Sequence, residues 1–302
     1  MTFRILDASY LFDWATWDSR LAGLPISQRD LHFEPAYVAA YAAEMETHAF
    51  CAFYTSYELF TIQPFIVLKN RYIGHAYGYG GVICNGRLTL HIAEFAAHFR
   101  RWMDQNSFGE RTRSHPFCGT TYGRQEKNIV YMDLSIDPEA ELRKGHKSSL
   151  AVARRSNITI EPCDELDLFR DMYLTTMNRL EASEYWMFSD KLLPALKAAY
   201  PTGFQFLLAK VNDEPEAGCI LLGAHQTCYY HYAGSYGRHR NIGVGQAVVI
   251  EAARWAKARG YTRLHLGGGT TADPKDPLFI FKSGFSRRRA WVYKYEREFS
   301  HA

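Results

Sequence analysis

The sequence predicts an α/β protein with a mixed sheet, built as two consecutive domains, and three observations carry that prediction. Segments with apolar residues at helical spacing alternate with β-branched and aromatic runs along the whole chain. At 302 residues the chain is longer than most single domains. No low-complexity or Gly/Ser-rich linker interrupts it, so the boundary is placed where the pattern restarts, near Ser135 to Pro138. That makes 1–135 a first domain and 136–302 a second, with the last strand a candidate to return toward the first.

Pro35 at an early position opens a helix through Met45, and two β-rich runs, 49–57 and 59–69, form a hairpin. A glycine-dense aromatic loop, Tyr77 to Gly81, follows, then a helix over 89–106 with Ile92, Phe95, Phe99 and Met103 on one side. Residues 128–134 read as a strand ending near Asp133. In the second half Asp137-Pro138-Glu139 opens a helix, and 158–161 is a short strand. Helices are expected over 164–184 and 190–200, and strands over 204–211, 217–224 and 227–236. A strong helix over 243–259 precedes a short strand at 264–266, a short helix at 277–282 and a final strand at 290–298.

Composition excludes several classes. With 47% hydrophobic and 22% charged residues the chain has the makings of a core, unlike a disordered segment. A net charge of +3 is too small for a generic nucleic-acid coat. The charge is uneven, however: residues 1–135 hold 12 Lys/Arg against 13 Asp/Glu, and 136–302 hold 23 against 19. Any anionic partner therefore belongs to the second half. Arg143, Lys144, Lys147, Arg154 and Arg155 lie in a stretch without acids, and Arg287, Arg288 and Arg289 are consecutive. The six cysteines are scattered, with no C-x-x-C pair and no zinc-ligand spacing, so no metal is expected. There is no basic-then-apolar leader and no run of 18 apolar residues, and a cytoplasmic protein without a transmembrane segment is the expectation.

The sharpest local signal is Arg240-Asn241-Ile242-Gly243-Val244-Gly245, an R-x-x-G-x-G string between a strand and a helix. Glycines there let backbone N–H groups approach an anion, and the helix dipole favours a pyrophosphate at that end. It is neither a Walker loop nor a dinucleotide fingerprint.

With its neighbours, this string resembles the GNAT acyltransferase superfamily, in which a Q/R-x-x-G-x-G/A motif binds the pyrophosphate of acyl-coenzyme A. YAGSY at Tyr232 to Tyr236, EAARWAK at Glu251 to Lys257 with Gly260, LGGG at Leu266 to Gly269, and FKSGF at Phe281 to Phe285 are similar to successive signatures of its FemAB-like, CelD-type branch. YLTTMNR at Tyr173 to Arg179, with Tyr185, fits the same pattern upstream. The resemblance implies two tandem GNAT-like units with acceptor bound in a cleft between the domains and the donor held by the second. FemAB proteins transfer an amino acid from aminoacyl-tRNA to a cell-wall peptide amine, whereas shorter relatives are often assigned as acyl-CoA-dependent enzymes of surface-polysaccharide pathways. An acyl-CoA donor, acetyl-CoA above all, and a sugar or peptide amine acceptor are thus expected. Aminoacyl-tRNA is the alternative donor, and a catalytically silent binding module is the alternative from another class.

Acyl transfer to an amine needs donors for a tetrahedral oxyanion and a base for the amine proton. Gly234 and Ser235 are candidates for backbone donors at a strand splay. Arg238, Arg240, Asn241, Gly243, Val244 and Gly245 are candidates for the donor's phosphates. Lys282 is the candidate counter-charge, and by resemblance Phe281 and Lys282 mark the cleft. Asp133, Glu184 and His231 are candidate bases, with no decision among them. Tyr77, Tyr79 and Gly80, with Arg179 and Tyr185, are candidates for acceptor binding. Glu251 falls on the apolar stripe of its helix and is expected in a structural ion pair.

Overall fold

The computed structural model describes residues 1–86, 89–120 and 122–299, with the side chain of Tyr185 outside that description. The chain divides into two compact units, Met1–Lys127 with Trp291–Ala302, and Asn128–Ala290.

The first unit begins with strand β1 (Thr2–Asp7), helix α1 (Leu11–Ala22) and helix α2 (Pro35–Glu44). Pro35 sits in the first turn of α2, where its missing N–H costs nothing, and Tyr37, Val38 and Tyr41 form the buried stripe. Strands β2 (Ala49–Ser56) and β3 (Leu59–Leu68) form the expected hairpin, with Ala49 opposite Ile66 and Ser56 opposite Leu59. After β4 (Tyr72–Gly74) and β5 (Ile83–Cys84), helix α3 (Thr89–Gln105) buries Phe95, Phe99 and Met103 against Ala52, Tyr54 and Phe65. Its four-residue spacing is what places these three on one face. Strand β6 (Gly109–Ser114) then pairs in parallel with β4.

The second unit contains most of β7 (Arg124–Asp133), then α4 (Lys144–Ala153), β8 (Ile158–Cys163), α5 (Leu166–Arg179), α6 (Leu192–Ala199), β9 (Phe204–Val211), β10 (Glu214–Ala224), β11 (Thr227–Ser235), α7 (Val244–Ala258), β12 (Arg263–Gly267) and α8 (Pro277–Ser283). Strands β8 to β11 follow one another antiparallel, and β12 joins β11 in parallel. The first unit repeats this scheme: β1 to β4 are antiparallel in sequence order and β6 joins β4 in parallel. The parallel pair needs a crossover, supplied by α3 in one unit and α7 in the other. Helix α7 buries Val244, Val248, Val249, Ala252 and Ala256 in a core that includes Leu207, Leu221 and Leu264. The last strand, β13 (Arg289–Arg297), pairs antiparallel with β6, from Tyr293 opposite Ser114 to Arg297 opposite Glu110.

Several details depart from the sequence reading. The first unit ends at Lys127, inside β7, and not near 135; the candidate last strand does rejoin it, from Trp291, through the ladder of β13 to β6. No helix opens at Asp137. Its Oδ1 instead accepts the Glu139 N–H at 2.7 Å in a turn, and the helix starts at Lys144. Helix α5 stops at Arg179, because Glu181 takes a left-handed φ of 50°. Glu251 is half-exposed beside Arg254, at 3.3 Å, and is not buried on the stripe. Strands β1, β4, β5 and β6 and helix α1 are additional. Strand β6 reads as polar, yet Glu110 is buried there and accepts from Gln63 Nε2 at 2.7 Å. Among the described residues no helix is long and apolar enough to cross a membrane.

Phe206 on β9 is fully buried, edge-on to Phe169 of α5 at 5.2 Å. Phe206→Ala is expected to cost about 3–5 kcal/mol in chemical denaturation, against less than about 0.5 kcal/mol for exposed Phe12→Ala.

Candidate active site

The site starts from an interrupted ladder. Strands β11 and β12 pair for three residues, Thr227 with Arg263, Cys228 with Leu264 and Tyr229 with His265, and then part. On its other side β11 carries one extra residue against β10: Leu221 faces Tyr230 and Ile220 faces Tyr232, leaving His231 as a bulge. A bulge bends its strand and increases local twist. Past Tyr229, the β12-facing edge of β11 therefore has no strand against it. Beside this stretch of β11 lies a cleft of about 200 Å³, lined by Ala217 and Gly218 of β10, Tyr230, Ala233 and Ser235 of β11, Val244 of α7 and Phe281 of α8.

One end of the cleft is the start of α7. Gly243 has φ 77°, ψ 21°, and a Cβ there would collide with the Ser149 carbonyl of α4, so both backbone angle and space require glycine. Glycine at the N-cap offers no side-chain cap to this fifteen-residue helix, whose first N–H groups and dipole favour negative charge at that end. Gly245 borders the same cleft, beneath the Phe281 ring. Arg240 and Asn241 are exposed beside it, with Arg240 Nε donating to Gly237 O at 3.2 Å.

Arg238 is used differently from the expectation of a phosphate ligand. Its guanidinium reaches Glu214 and Glu216, each at 3.3 Å, and the Pro215 carbonyl, clamping the loop to β10. Buried Glu216 also accepts the His239 N–H and its ring Nδ1, both at 3.2 Å. With Nδ1 donating to the carboxylate, Nε2 is the His239 nitrogen left for a ligand, and the ring borders the cleft.

Helix α8 adjoins this end of the cleft through Phe281, whose ring lies over Gly245. Lys282 Nζ donates to Gly268 O at 2.8 Å, just past the end of β12. Phe281 forms part of the wall, its carbonyl accepting from His146 Nε2 at 2.9 Å and its ring edge-on to Phe285 at 5.1 Å. Asp276, buried at the start of α8, accepts from Leu278 and Phe279 N–H and from Thr270 and Thr271. Burial alone would raise its carboxyl, but these hydrogen bonds outweigh it and hold the group below the usual carboxylate range.

Helix α5 closes the remaining side. A Cβ on Gly234 would press on the backbone of Tyr173, so this glycine serves close helix approach rather than a splayed strand. The Ser235 N–H is already bonded to Thr176 Oγ1 at 2.7 Å, and Arg179 Nη1 donates to the Ser235 and Tyr236 carbonyls at 3.0 and 3.1 Å. Arg179 thus fixes the end of β11. Tyr236 OH donates to Asp171 at 2.7 Å, and burial followed by that carboxylate pushes the phenol up to about 12.

The structure does not gather the candidate bases here. Asp133 lies opposite Arg263, at the far end of β12 from the cleft. It is paired with Arg288 at 3.0 Å and lowered by hydrogen bonds from Ser135. Glu184 is exposed in a 3-10 turn, and the Tyr185 side chain lies outside the described residues. His231 is buried in the bulge, edge-on to Tyr232. Tyr77, Tyr79 and Gly80 belong to the first unit. Tyr79 is buried edge-on to His32 and His115, Tyr77 stacks on Tyr41, and Gly80 bonds to Arg113 O at 2.8 Å and accepts from His115 N at 3.0 Å.

Asp30, His115 and Cys118 of the first unit approach one another as a ligand set would. His115 Nδ1, however, accepts the N–H groups of Phe117 and Cys118 at 3.2 and 3.0 Å, so the proton sits on Nε2, facing Asp30 at 3.4 Å. A metal-bound histidine donates its second nitrogen instead, and the trio reads as a hydrogen-bonded network.

Sequence reasoning missed Thr176, Glu216, His239 and Asp276. Of these, only Asp276 carried a signal: an Asp immediately before Pro277 is a helix-start pattern.

Residues 140–275 match the family model described as an acetyltransferase (GNAT) domain. Among solved structures, the fold is similar to "Crystal structure of FemX", with TM-score 0.63, 12% identity, and coverage of 99% of this chain and 96% of that one. It is also similar to the C-terminal domain (DUF2156) of a putative lysylphosphatidylglycerol synthetase from Agrobacterium fabrum, with TM-score 0.60, 12% identity and coverage of 95% and 93%. A tandem GNAT protein from the clavulanic acid biosynthesis pathway gives TM-score 0.55, 8% identity and coverage of 99% and 100%. At these identities the likeness is one of fold. No curated protein matches the sequence significantly.

Asp30, like Asp276, is held below its usual range. Burial alone would raise it, but His115 and His32 outweigh burial. Groups with depressed folded values stabilise the fold above the unfolded carboxylate range and lose that contribution as pH falls through their lowered values. Thermal unfolding is expected to be insensitive to these groups from pH 7 to about 5, and Tm to drop below about pH 4. Asp276→Asn should lower Tm at pH 7 and blunt the acid-induced drop.

Proposed function

We propose, since residues 140–275 match the GNAT acetyltransferase family model, that the chain moves an acyl group from acyl-CoA, acetyl-CoA in the simplest case, to an amine of a sugar or peptide acceptor. The observation carrying this reading is the cleft beside the free edge of β11, with the glycine-started α7 and Phe281 of α8 among its walls. The donor residues present fit a coenzyme A pyrophosphate: the N–H groups at Gly243 to Gly245, the Arg240 side chain and the His239 ring. Acceptors of surface-polysaccharide or cell-wall metabolism, and a cytoplasmic location, go with the signatures the sequence resembles.

The bound thioester supplies an activated carbonyl, and the acceptor nitrogen attacks it directly. The C–N bond forms as the carbonyl π pair moves onto oxygen, the amine proton passes to a base, and collapse of the tetrahedral oxyanion re-forms C=O, breaks the C–S bond and releases the coenzyme A thiolate. The resemblance of the FKSGF stretch supports Lys282 as the ammonium that balances the developing oxyanion. A covalent enzyme intermediate has no support from the cysteines of β10 and β11, since burial pushes the Cys219 and Cys228 thiols well up.

The aminoacyl-tRNA alternative draws on the basic stretches. Arg154 is paired with Glu139, however, and Arg288 with Asp133 and Glu141, which leaves fewer cations for a phosphate backbone. One donor per chain is expected. In the first unit the corresponding strand pair, β4 and β6, is bridged beyond its ladder by Gly80 and Ser114.

Calorimetric titration with acetyl-CoA should give a stoichiometry near one. Arg240→Ala and His239→Ala should each weaken binding about tenfold, as loss of a charge-assisted contact does. Absence of acetyl-CoA binding by the wild type overturns the reading. Steep salt-dependent binding of charged tRNA would then favour the rival donor, and binding of neither donor would favour a silent module. In acetyl-CoA turnover assays with glucosamine and glycyl peptides, Lys282→Ala should lower kcat about 10²-fold.

A further inference from the structure

We infer that Asp276 is a positioning residue that sets Lys282 against the chain leaving β12, next to Phe281 of the cleft wall; the inference rests on the acyl-transfer reading above for its consequence, and on geometry alone for its structure.

The two carboxylate oxygens of Asp276 serve two different pieces of chain. Oδ1 accepts the N–H groups of Leu278 at 2.9 Å and Phe279 at 3.1 Å, tying down the start of α8. Oδ2 accepts from Thr270 Oγ1 at 2.6 Å, Thr271 N at 3.0 Å and Thr271 Oγ1 at 3.2 Å, tying down the loop that leaves β12. One ionised group thus joins the strand end to the helix. Gly269 lies flat against it, since a Cβ there would collide with the carboxyl group. The circuit closes at the other end of α8, where Lys282 Nζ returns to Gly268 O at 2.8 Å. Gly267, at φ 79°, gives that chain end the turn it needs, and a Cβ on it would stand 3.2 Å from the ammonium.

Lys282 follows Asp276 by six residues, about 9 Å of helix at 1.5 Å per residue. A tilt of α8 at its start is therefore transmitted to the ammonium, and a misplacement of about 1 Å at a reacting centre costs about 10²-fold in rate. Asparagine in place of Asp276 keeps one acceptor oxygen and so serves the loop or the helix, not both. Serine keeps the helix cap and is too short to reach the loop.

The test compares Asp276→Asn and Asp276→Ser with the wild type in two ways. Acetic-anhydride labelling of amines, read by peptide mass spectrometry, is expected to modify Lys282 several-fold faster in both variants, with other lysines unchanged. Acetyl-CoA turnover with glucosamine or glycyl peptides is expected to lose about 10²-fold in kcat with KM for acetyl-CoA within about twofold, and either variant combined with Lys282→Ala is expected to be no slower than Lys282→Ala alone. Unchanged Lys282 labelling, a fully multiplicative loss in the double variants, or loss of the fold in both single variants overturns the assignment. Should the wild type fail to bind acetyl-CoA, the donor assignment falls, while the labelling comparison still decides whether Asp276 holds Lys282.

Discussion

Strands β11 and β12 stay hydrogen-bonded for three residues and then separate, and the rest of the candidate site depends on that divergence. In a continuous parallel ladder the edge of β11 would be saturated by β12. Three local features keep the strands apart. The His231 bulge bends β11, the close seat of α5 on Gly234 directs its end, and Gly267 turns the chain away at the end of β12. None is strong alone. Together they set a gap between two rigid elements, where a bound group can be held without ordering a loop first.

Charge is arranged around this gap in a specific way. Buried Glu216 is compensated by Arg238 and His239 and so pins the glycine loop, and Arg238 is consumed in the process. The positive end of α7, Arg240 and the outer nitrogen of His239 remain on the ligand side. Buried Asp276 does for the start of α8 what Glu216 does for the loop. In both cases several donors converge on a buried carboxylate, the condition under which burial of such a group is tolerated. The first unit has the same strand order but a different interior. There Gly80 bonds to the backbone around Ser114, and Tyr79 packs among His32 and His115.

Much of the fold was legible because periodicity was strong. The four-residue spacing of Phe95, Phe99 and Met103, the apolar run of α7 and the β2–β3 hairpin all follow directly from pattern. The glycine string of 240–245 was legible because glycine at a helix start has a physical cause. What was hidden depended on partners distant in sequence. Strand β6 gave no signal because its run of polar residues lacks apolar alternation, and its buried Glu110 is satisfied by Gln63, 47 residues earlier. Arg238 looked like a phosphate ligand because Glu214 and Glu216 cannot be paired with it from spacing. Asp133 seemed a candidate base at a strand end, but register puts it at the wrong end of β12. Helix α5 ended early because of one left-handed residue, Glu181, which periodicity does not report.

The central claim is that a coenzyme A donor lies in the β11–β12 opening of the second unit. Amide hydrogen exchange with and without acetyl-CoA tests it directly. The account predicts slowed exchange over 234–247 and 266–283, and no change in β4, β6 or the 75–81 loop of the first unit. Protection in those first-unit segments, or no protection around Gly243 at saturating acetyl-CoA, would contradict it.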